Sequence, residues 1–240
     1  MRKILTVDIG GTKVKMLLRG ERERRTFPSG PDLTPDDLVR GIAATTEGWT
    51  YDALSIGFPA PVAGGAIVAD PVNLGPGWKG FDFAAALNKP VRLINDAAMQ
   101  ALGSYHGGTM LFLGLGTGLG TALVRDGVVV PLELGHLPYR DGRTFEEWVG
   151  KSGLKRLGGN RWEKAVQDVV ERLSRAVNAE YVVIGGGNSK RLRRFPAGAE
   201  RGSNANAFLG GFRLWMTPEE LELEWSSRSA EAPAPQPIHS

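Results

Sequence analysis

The 240-residue chain contains no cysteine. Disulfides and thiolate metal sites are thereby excluded, and a reducing compartment is allowed without being required. There is no apolar run of membrane-spanning length either, and Met1-Arg2-Lys3, followed at once by a strand, lacks the shape of a signal peptide. A soluble, cytoplasmic protein is the expectation. Two familiar nucleotide motifs are also missing. A Walker loop needs a lysine followed by Ser or Thr and then a helix, whereas Gly10-Gly11-Thr12-Lys13 runs into Val14 and a strand. The dinucleotide spacing fails because Leu119 takes the third glycine position counted from Gly114.

What the chain does have is glycine, 33 in all, gathered at the ends of apolar runs and not in a linker. The length allows one domain or two small ones, with enough residues to bury a core. The net charge is only +3, yet basic residues outnumber acidic ones from Arg140 to Arg201, with Lys190, Arg191, Arg193 and Arg194 close together. Few aromatics accompany them, which suits a phosphate-rich ligand better than a base-reading surface. For each arginine singly, a solvated helix face is the simpler reading.

The most informative stretch is Leu111–His136. The apolar run Leu111–Leu115 breaks into Gly116, Gly118 and Gly120, resumes at Ala122–Val124, and turns at Asp126-Gly127 into Val128–Val130. This predicts a hairpin with a glycine-lined corner and a second turn. Glycines beside Thr117 and Thr121 let backbone N–H groups approach an anion; a glycine-softened strand corner is the plainer alternative.

Earlier in the chain, Lys3–Val7 and Val14–Leu18 predict a hairpin whose tip is Asp8-Ile9-Gly10-Gly11-Thr12-Lys13. Thr34 reads as a helix N-cap, with Pro35 in the first turn. Ala53–Phe58 is a buried strand. The Gly- and Pro-rich piece after it, carrying Asn73, is expected to be a loop. Asp82–Leu87 is a short helix. Val91–Ile94 is a strand ending at Asn95-Asp96, where a helix over Ala97–Tyr105 begins; Asp96 alone could be no more than its N-cap. Helical segments occupy Thr144–Leu157 and Arg161–Val177, the latter with Trp162, Val166, Val169, Val170, Leu173 and Val177 on one core-facing stripe. Tyr181–Ile184 is a strand running into Gly185-Gly186-Gly187. Asn204–Trp215 is a helix interrupted at Gly210-Gly211, and Pro218–Trp225 a last helix. From Ser226 on, the Ser/Ala/Pro-rich composition predicts a disordered tail, residues 226–240. No repeat exists at the level of residues, but the two glycine tips suggest two similar halves.

Taken in order, VDIGGTKVK, LINDAAMQALG, GLGTGLGTALV, ELGHLP, VIGGGNSK and NANAFLGGFRLW resemble the ROK (repressor, open reading frame, kinase) sugar kinases, and within them the bacterial polyphosphate glucokinases. The resemblance spans nearly everything to Trp215. It implies the α/β, actin-like ATPase (ribonuclease H-like) fold, with two lobes and a sugar cleft between them. Residues 1–95 with about 206–225 would form the smaller lobe and 96–205 the larger.

The resemblance also implies roles. Asp96 matches the base that takes the proton of a sugar hydroxyl as the bond to phosphorus forms. Asn95, Glu133, His136 and Glu146 match sugar-binding positions, with Glu147 adjacent and a slip of one residue open. Asn73 and the Pro59–Val62 turn would complete the pocket. Gly10, Gly11, Thr12 and Lys13 match the first phosphate loop, Gly116, Thr117 and Gly118 the second, and Gly185, Gly186 and Gly187 a third glycine turn on the donor side. Asp8 matches the acid that holds Mg²⁺, through water. Many relatives carry zinc on a histidine and a cysteine-rich run. Here that region is the cysteine-free PYRDGRTFEEW, so no zinc is expected and His136 should contact sugar. Ala60 replaces a common glycine.

Glucose or a related hexose is the implied acceptor, and polyphosphate, ATP or both the donor. Lys151, Lys155, Arg156, Lys190, Arg191 and Arg193 are available for a polyphosphate groove. Neither nucleic acid nor membrane is an expected partner; a homodimer is. A sugar-responsive repressor of the same family needs an N-terminal helix-turn-helix, for which a strand starting at Lys3 leaves no room. A silent sugar-binding module is opposed by intact Asp96, Glu133 and His136.

Overall fold

The computed structural model describes residues 2–229. The chain opens with β1 (Ile4–Ile9), β2 (Lys13–Leu18) and β3 (Arg25–Pro28), then α1 (Pro35–Thr45) and β4 (Ala53–Phe58). A two-stranded ribbon, β5 (Val62–Ala63) and β6 (Ala66–Ile67), stands where the sequence predicts only loop. Then come α2 (Phe83–Leu87) and β7 (Val91–Asn95). These strands form one sheet in the order β3-β2-β1-β4-β7, antiparallel up to β1 and parallel from β1 to β7. β4 is buried at every position, as a central parallel strand covered on both faces must be. Its core packs Leu38 and Ile42 of α1 and the Phe58–Trp78 pair, with ring centroids 5.1 Å apart. Thr34 caps α1 through a full capping box with Asp37.

The second half begins with α3 (Asp96–Ser104), then β8 (Thr109–Leu115), β9 (Leu119–Arg125), β10 (Val128–Leu132), α4 (Phe145–Val149), α5 (Lys151–Ala176), β11 (Tyr181–Gly185) and β12 (Ala199–Arg201). Its sheet runs β10-β9-β8-β11-β12, again antiparallel up to β8 and parallel beyond it. The two sheets therefore share one connectivity, and the two glycine tips occupy equivalent places, β1–β2 and β8–β9. The expected core stripe of α5 is buried from Trp162 to Leu173, with Val177 partly so. The helical segment predicted over Thr144–Leu157 is split at Gly150. Its second part joins the long helix through a kink at Gly158 (φ 70°, ψ 165°), a conformation open to glycine.

The chain closes with α6 (Asn206–Arg213) and α7 (Pro218–Ser229). The break predicted at Gly210-Gly211 does not occur. These glycines are contact points: a Cβ at Gly210 would overlap the Met99 carbonyl of α3, and one at Gly211 would overlap Thr6 of β1. Gly103 of α3 faces the Asn206 carbonyl in the same way. The last helix runs four residues past Trp225, into the stretch expected to be tail. Residues 230–240 of that predicted tail lie outside the described residues. Among the described residues no helix is long and apolar enough to cross a membrane.

Candidate active site

Asp8, Gly57 and Ile94 lie in one row across β1, β4 and β7, so three parallel strands end along a single line. Ligands of open α/β sheets gather at such carboxyl ends. Gly57 makes the start of α3 fit there. A Cβ at Gly57 would overlap the Met99 side chain and come within 3.5 Å of the Asp96 backbone.

Asn95 is the cap of α3. Its Oδ1 accepts from the Ala97 and Ala98 N–H groups at 3.0 and 3.2 Å, and its Nδ2 donates to the Ala60 carbonyl at 3.4 Å. The capping duty that Asp96 could have filled thus belongs to its neighbour. Asp96 is the first helical residue, partly accessible, with Oδ1 accepting from the Ala97 N–H at 2.7 Å. Burial, and after it the nearby Asp8 charge, pushes the Asp96 carboxyl up to about 7, with Lys15 acting weakly in the other direction. Lys15 stands opposite Asp8 in the β1–β2 register, its Nζ 2.9 Å from Asp8 Oδ2. The sequence motifs do not single out Lys15; the Ile9–Val14 closing pair of the hairpin is the signal that points to it.

At the first glycine tip, the Gly10 N–H donates to the Lys13 carbonyl at 3.1 Å, and Ser29, which lies outside the sequence motifs, holds Gly10 and Thr12 from the β3 side. Thr12 and Lys13 are exposed there. Asn73, expected with the sugar-binding residues, comes instead to this tip, its Cβ 3.6 Å from where a Gly11 Cβ would stand.

At the second tip, the Lys151 N–H donates to the Gly116 and Thr117 carbonyls, both at 3.1 Å, and Asn188 Nδ2 donates to the Gly116 carbonyl at 2.8 Å. The loop is thus pinned by the first turn of α5 and by the 3₁₀ turn Gly187–Arg191. Of the third glycine run only Gly187 faces open space. Gly185 is buried under the Phe112 ring, and Gly186, at φ +79°, is pressed on the Leu115 carbonyl, so packing accounts for those two.

Glu133 and His136 are positioned by Thr121. Its Oγ1 donates to the Leu132 carbonyl at 2.7 Å and accepts from the Leu134 N–H at 3.2 Å, gripping the chain on both sides of Glu133. Leu134–His136 is a 3₁₀ turn. His136 sits between two acids, with Nδ1 3.6 Å from Glu133 and Nε2 3.7 Å from Glu146. Glu146 also leans on Gly118, where a Cβ would push its carboxylate aside. Glu147 is occupied elsewhere: its carboxylate accepts from the Thr144 N–H at 2.8 Å in the capping box of α4, and that bond holds its pKa low. Of the two acids, Glu147 is thus held in the cap and Glu146 is the one that meets His136.

α3 and β9 meet at Gly120. A Cβ there would be 2.8 Å from the Ala97 Cβ, so the residue after Asp96 abuts the residue before Thr121. Through Ala97 and Gly120, the start of α3, where Asp96 feels the Asp8 charge, adjoins the strand whose Thr121 holds the acid–His–acid turn.

The ROK family model matches residues 4–146. The chain belongs to the ROK family. Polyphosphate glucokinase of Mycobacterium leprae (strain TN) is 28% identical over 214 residues, which is 79% of this chain and 64% of that protein. The chain therefore spans less than two thirds of that relative's length. Polyphosphate glucokinase of Mycobacterium tuberculosis (strain ATCC 25618 / H37Rv) is 25% identical over 213 residues, 79% of each chain. Among solved structures, the inorganic polyphosphate/ATP-glucomannokinase of Arthrobacter sp. strain KM superposes with a TM-score of 0.73 at 26% identity, covering 93% of this chain and all of that one. A ROK family glucokinase from Streptomyces griseus, in complex with glucose and AMPPNP, shares the fold at 15% identity and TM-score 0.67, over 87% of this chain and 97% of that one. The fold of this ROK protein is the actin-like ATPase fold, visible here as the repeated five-stranded sheet.

Proposed function

We propose that this ROK protein is a glucokinase that moves a phosphoryl group from inorganic polyphosphate, and secondarily from ATP, to the 6-hydroxyl of glucose. The observation that carries the reading is the Asp96 carboxyl, raised to about 7 in the crevice and flanked by Asp8 and Lys15. A sugar hydroxyl is a poor nucleophile, and a base with a pKa near the working pH is the efficient acceptor for its proton. Glu133, His136 and Glu146 would grip the ring hydroxyls, which sets the reacting oxygen beside Asp96. Asn95, with its carboxamide oxygen engaged by α3, would act chiefly by fixing Asp96.

The two glycine tips would cradle the phosphates with backbone N–H groups, and Lys15 would offset charge as it builds on the transferred group. Asp8 fits the Mg²⁺ that such transfer employs. It is a hard oxygen donor whose charge acts on a second carboxylate, a setting that a cation relieves. Among the described residues no cluster of three ligands exists, which suits a metal held largely through water. Asp8 would hold that ion, and the chemistry it would supply is neutralisation of charge on the donor phosphate.

Polyphosphate is ranked over ATP because the β11–β12 connection carries only the short 3₁₀ turn and coil, with Lys190, Arg191 and Arg194 exposed. Glu163 holds that coil by accepting from the Arg193 and Arg194 N–H groups. The same reading takes residues 1–95 with about 206–225, and residues 96–205, as lobes that close on the sugar in a cytoplasmic, homodimeric enzyme.

The deciding experiment offers purified protein glucose and Mg²⁺ with either donor and follows glucose 6-phosphate. A higher kcat/KM with polyphosphate is expected. Equal or better use of ATP overturns the donor ranking, and no product from either overturns the kinase. A sharper check compares two neighbouring acids. Glu146→Gln is expected to raise the KM for glucose about 10- to 100-fold, the loss of a charged hydrogen bond. Glu147→Gln is expected to leave that KM unchanged and to lower the Tm by about 2–4 °C, a cap worth about 1 kcal/mol.

A further inference from the structure

Away from the crevice, the stripe of α6 that packs along the first sheet, with the turn that closes it, carries Phe208, Phe212 and Trp215, at the i, i+4, i+7 spacing of one helix face. Each ring is covered by a guanidinium. Arg24 lies 5.0 Å from the Phe208 centroid and Arg19 5.3 Å from that of Phe212. Two more, Arg2 and Arg92, lie 4.9 and 4.6 Å from that of Trp215. Four cations thus line about 10 Å of helix. Arg19 also donates to the Phe212 carbonyl at 3.0 Å and feels Glu224 and Glu220. Arg2, Arg24 and Arg92 are exposed, and among the described residues none makes an ion pair. Glu21 and Glu23 share the loop with Arg24 and pair with none of them.

A row of cations over rings, three of them exposed and outside the ion pairs of the described residues, is the footprint of an anionic chain. Single-stranded nucleic acid binds through open aromatic faces on which bases stack. Here the faces are already occupied, and Phe208 is buried. A membrane surface would require apolar side chains beside the cations, but the exposed large ones, such as Val72, Val128 and Leu223, belong to other elements. We propose that this strip is a binding site for inorganic polyphosphate, separate from the glycine tips. Arg92 is four residues before Asp96, about 13 Å along β7. A long chain held on the strip would keep its other end near the crevice, raising its effective concentration there. That consequence rests on the kinase reading above, whereas the binding itself does not.

The test measures binding of fluorescently labelled long-chain polyphosphate to the whole protein without glucose, so its outcome is independent of turnover. The Arg2→Gln/Arg24→Gln/Arg92→Gln protein is expected to bind at least tenfold more weakly, with the slope of log K against log salt reduced by about 2, as for three lost phosphate contacts. Single-stranded DNA of equal charge is expected to compete poorly. Unchanged affinity and slope in the triple variant would overturn the site, and equally strong, strip-dependent DNA binding would overturn its assignment to polyphosphate. Should the triple variant fold poorly, Arg24→Gln and Arg92→Gln singly give the same readout, each with a slope change of about 0.7.

Discussion

Asp96→Asn is expected to lower kcat for glucose phosphorylation by about 10²–10⁴-fold while making the folded protein more stable at pH 8. Both effects come from one carboxyl. Asparagine keeps an oxygen for the Ala97 N–H, which Asp96 Oδ1 engages at 2.7 Å, and so preserves the start of α3 while losing the proton acceptor. The stability gain comes from linkage. Burial and the Asp8 charge raise Asp96 from its ordinary value of 3.8 to about 7 in the folded protein. Between those values the unfolded chain has released its proton and the folded one has not. The contribution of Asp96 is therefore fully present below about 4 and is lost as pH rises through about 7. Asparagine removes that loss, worth about 2–4 kcal/mol, so its Tm should exceed the parent's by about 5 °C or more at pH 8, with the gap closing toward pH 4. In the parent, kcat/KM should rise with pH along a limb centred near 7. Thermal melts at the two pH values, beside single-turnover rates, check the pair of effects. A variant that keeps full turnover removes Asp96 from the base role, and one that is less stable at pH 8 removes the buried-charge argument.

Gly210→Ala is expected to lower the Tm by about 10 °C, a cost of about 3 kcal/mol or more, at the upper end of overpacking. In an exposed helix this substitution would stabilise by about 1 kcal/mol, so the sign alone is informative. At Gly210 the new Cβ would overlap the Met99 carbonyl, and backbone cannot swing aside as a side chain does. Gly103→Ala meets the Asn206 carbonyl at the same crossing and should cost a similar amount. The double variant should cost less than the sum, because helices already parted by one methyl have room for the next. Since α3 begins at Asp96, the activity per folded molecule should fall too. Denaturant melts of the two single variants and the double decide it. A stabilised Gly210→Ala protein would mean that α3 and α6 do not cross through these glycines.

Local chemistry is readable in the sequence wherever its cause lies within a few residues of its effect. Thr34 and Asp37 close a capping box three positions apart, and the α5 stripe recurs with the helical period. Both glycine tips stand between apolar runs that return on themselves, and the repeated hairpin anticipates two similar sheets. The short edge strands β3 and β12, by contrast, leave no trace in the pattern, for edge strands of three or four residues with no buried position carry little apolar signal.

Other assignments depend on partners far away in the chain. Gly210-Gly211 has the composition of a helix break, and only the approach of Met99 and Thr6 makes it a packing surface. Asn95 and Asp96 are both good caps on paper; the register of β7 against β4 decides which one turns inward to the helix and which stands beside Asp8. Glu146 and Glu147 are equivalent as letters until Thr144 claims one and His136 meets the other. The amino-acid sequence by itself determined the order of strands, tips and helices, because hydrophobic period and turn chemistry are short-range. The tertiary structure alone decided which polar groups became neighbours, as Lys15 and Asp96 did of Asp8 and Glu146 of His136. Burial and charge proximity, the two forces that lift Asp96, exist only once residues from opposite halves of the chain lie side by side.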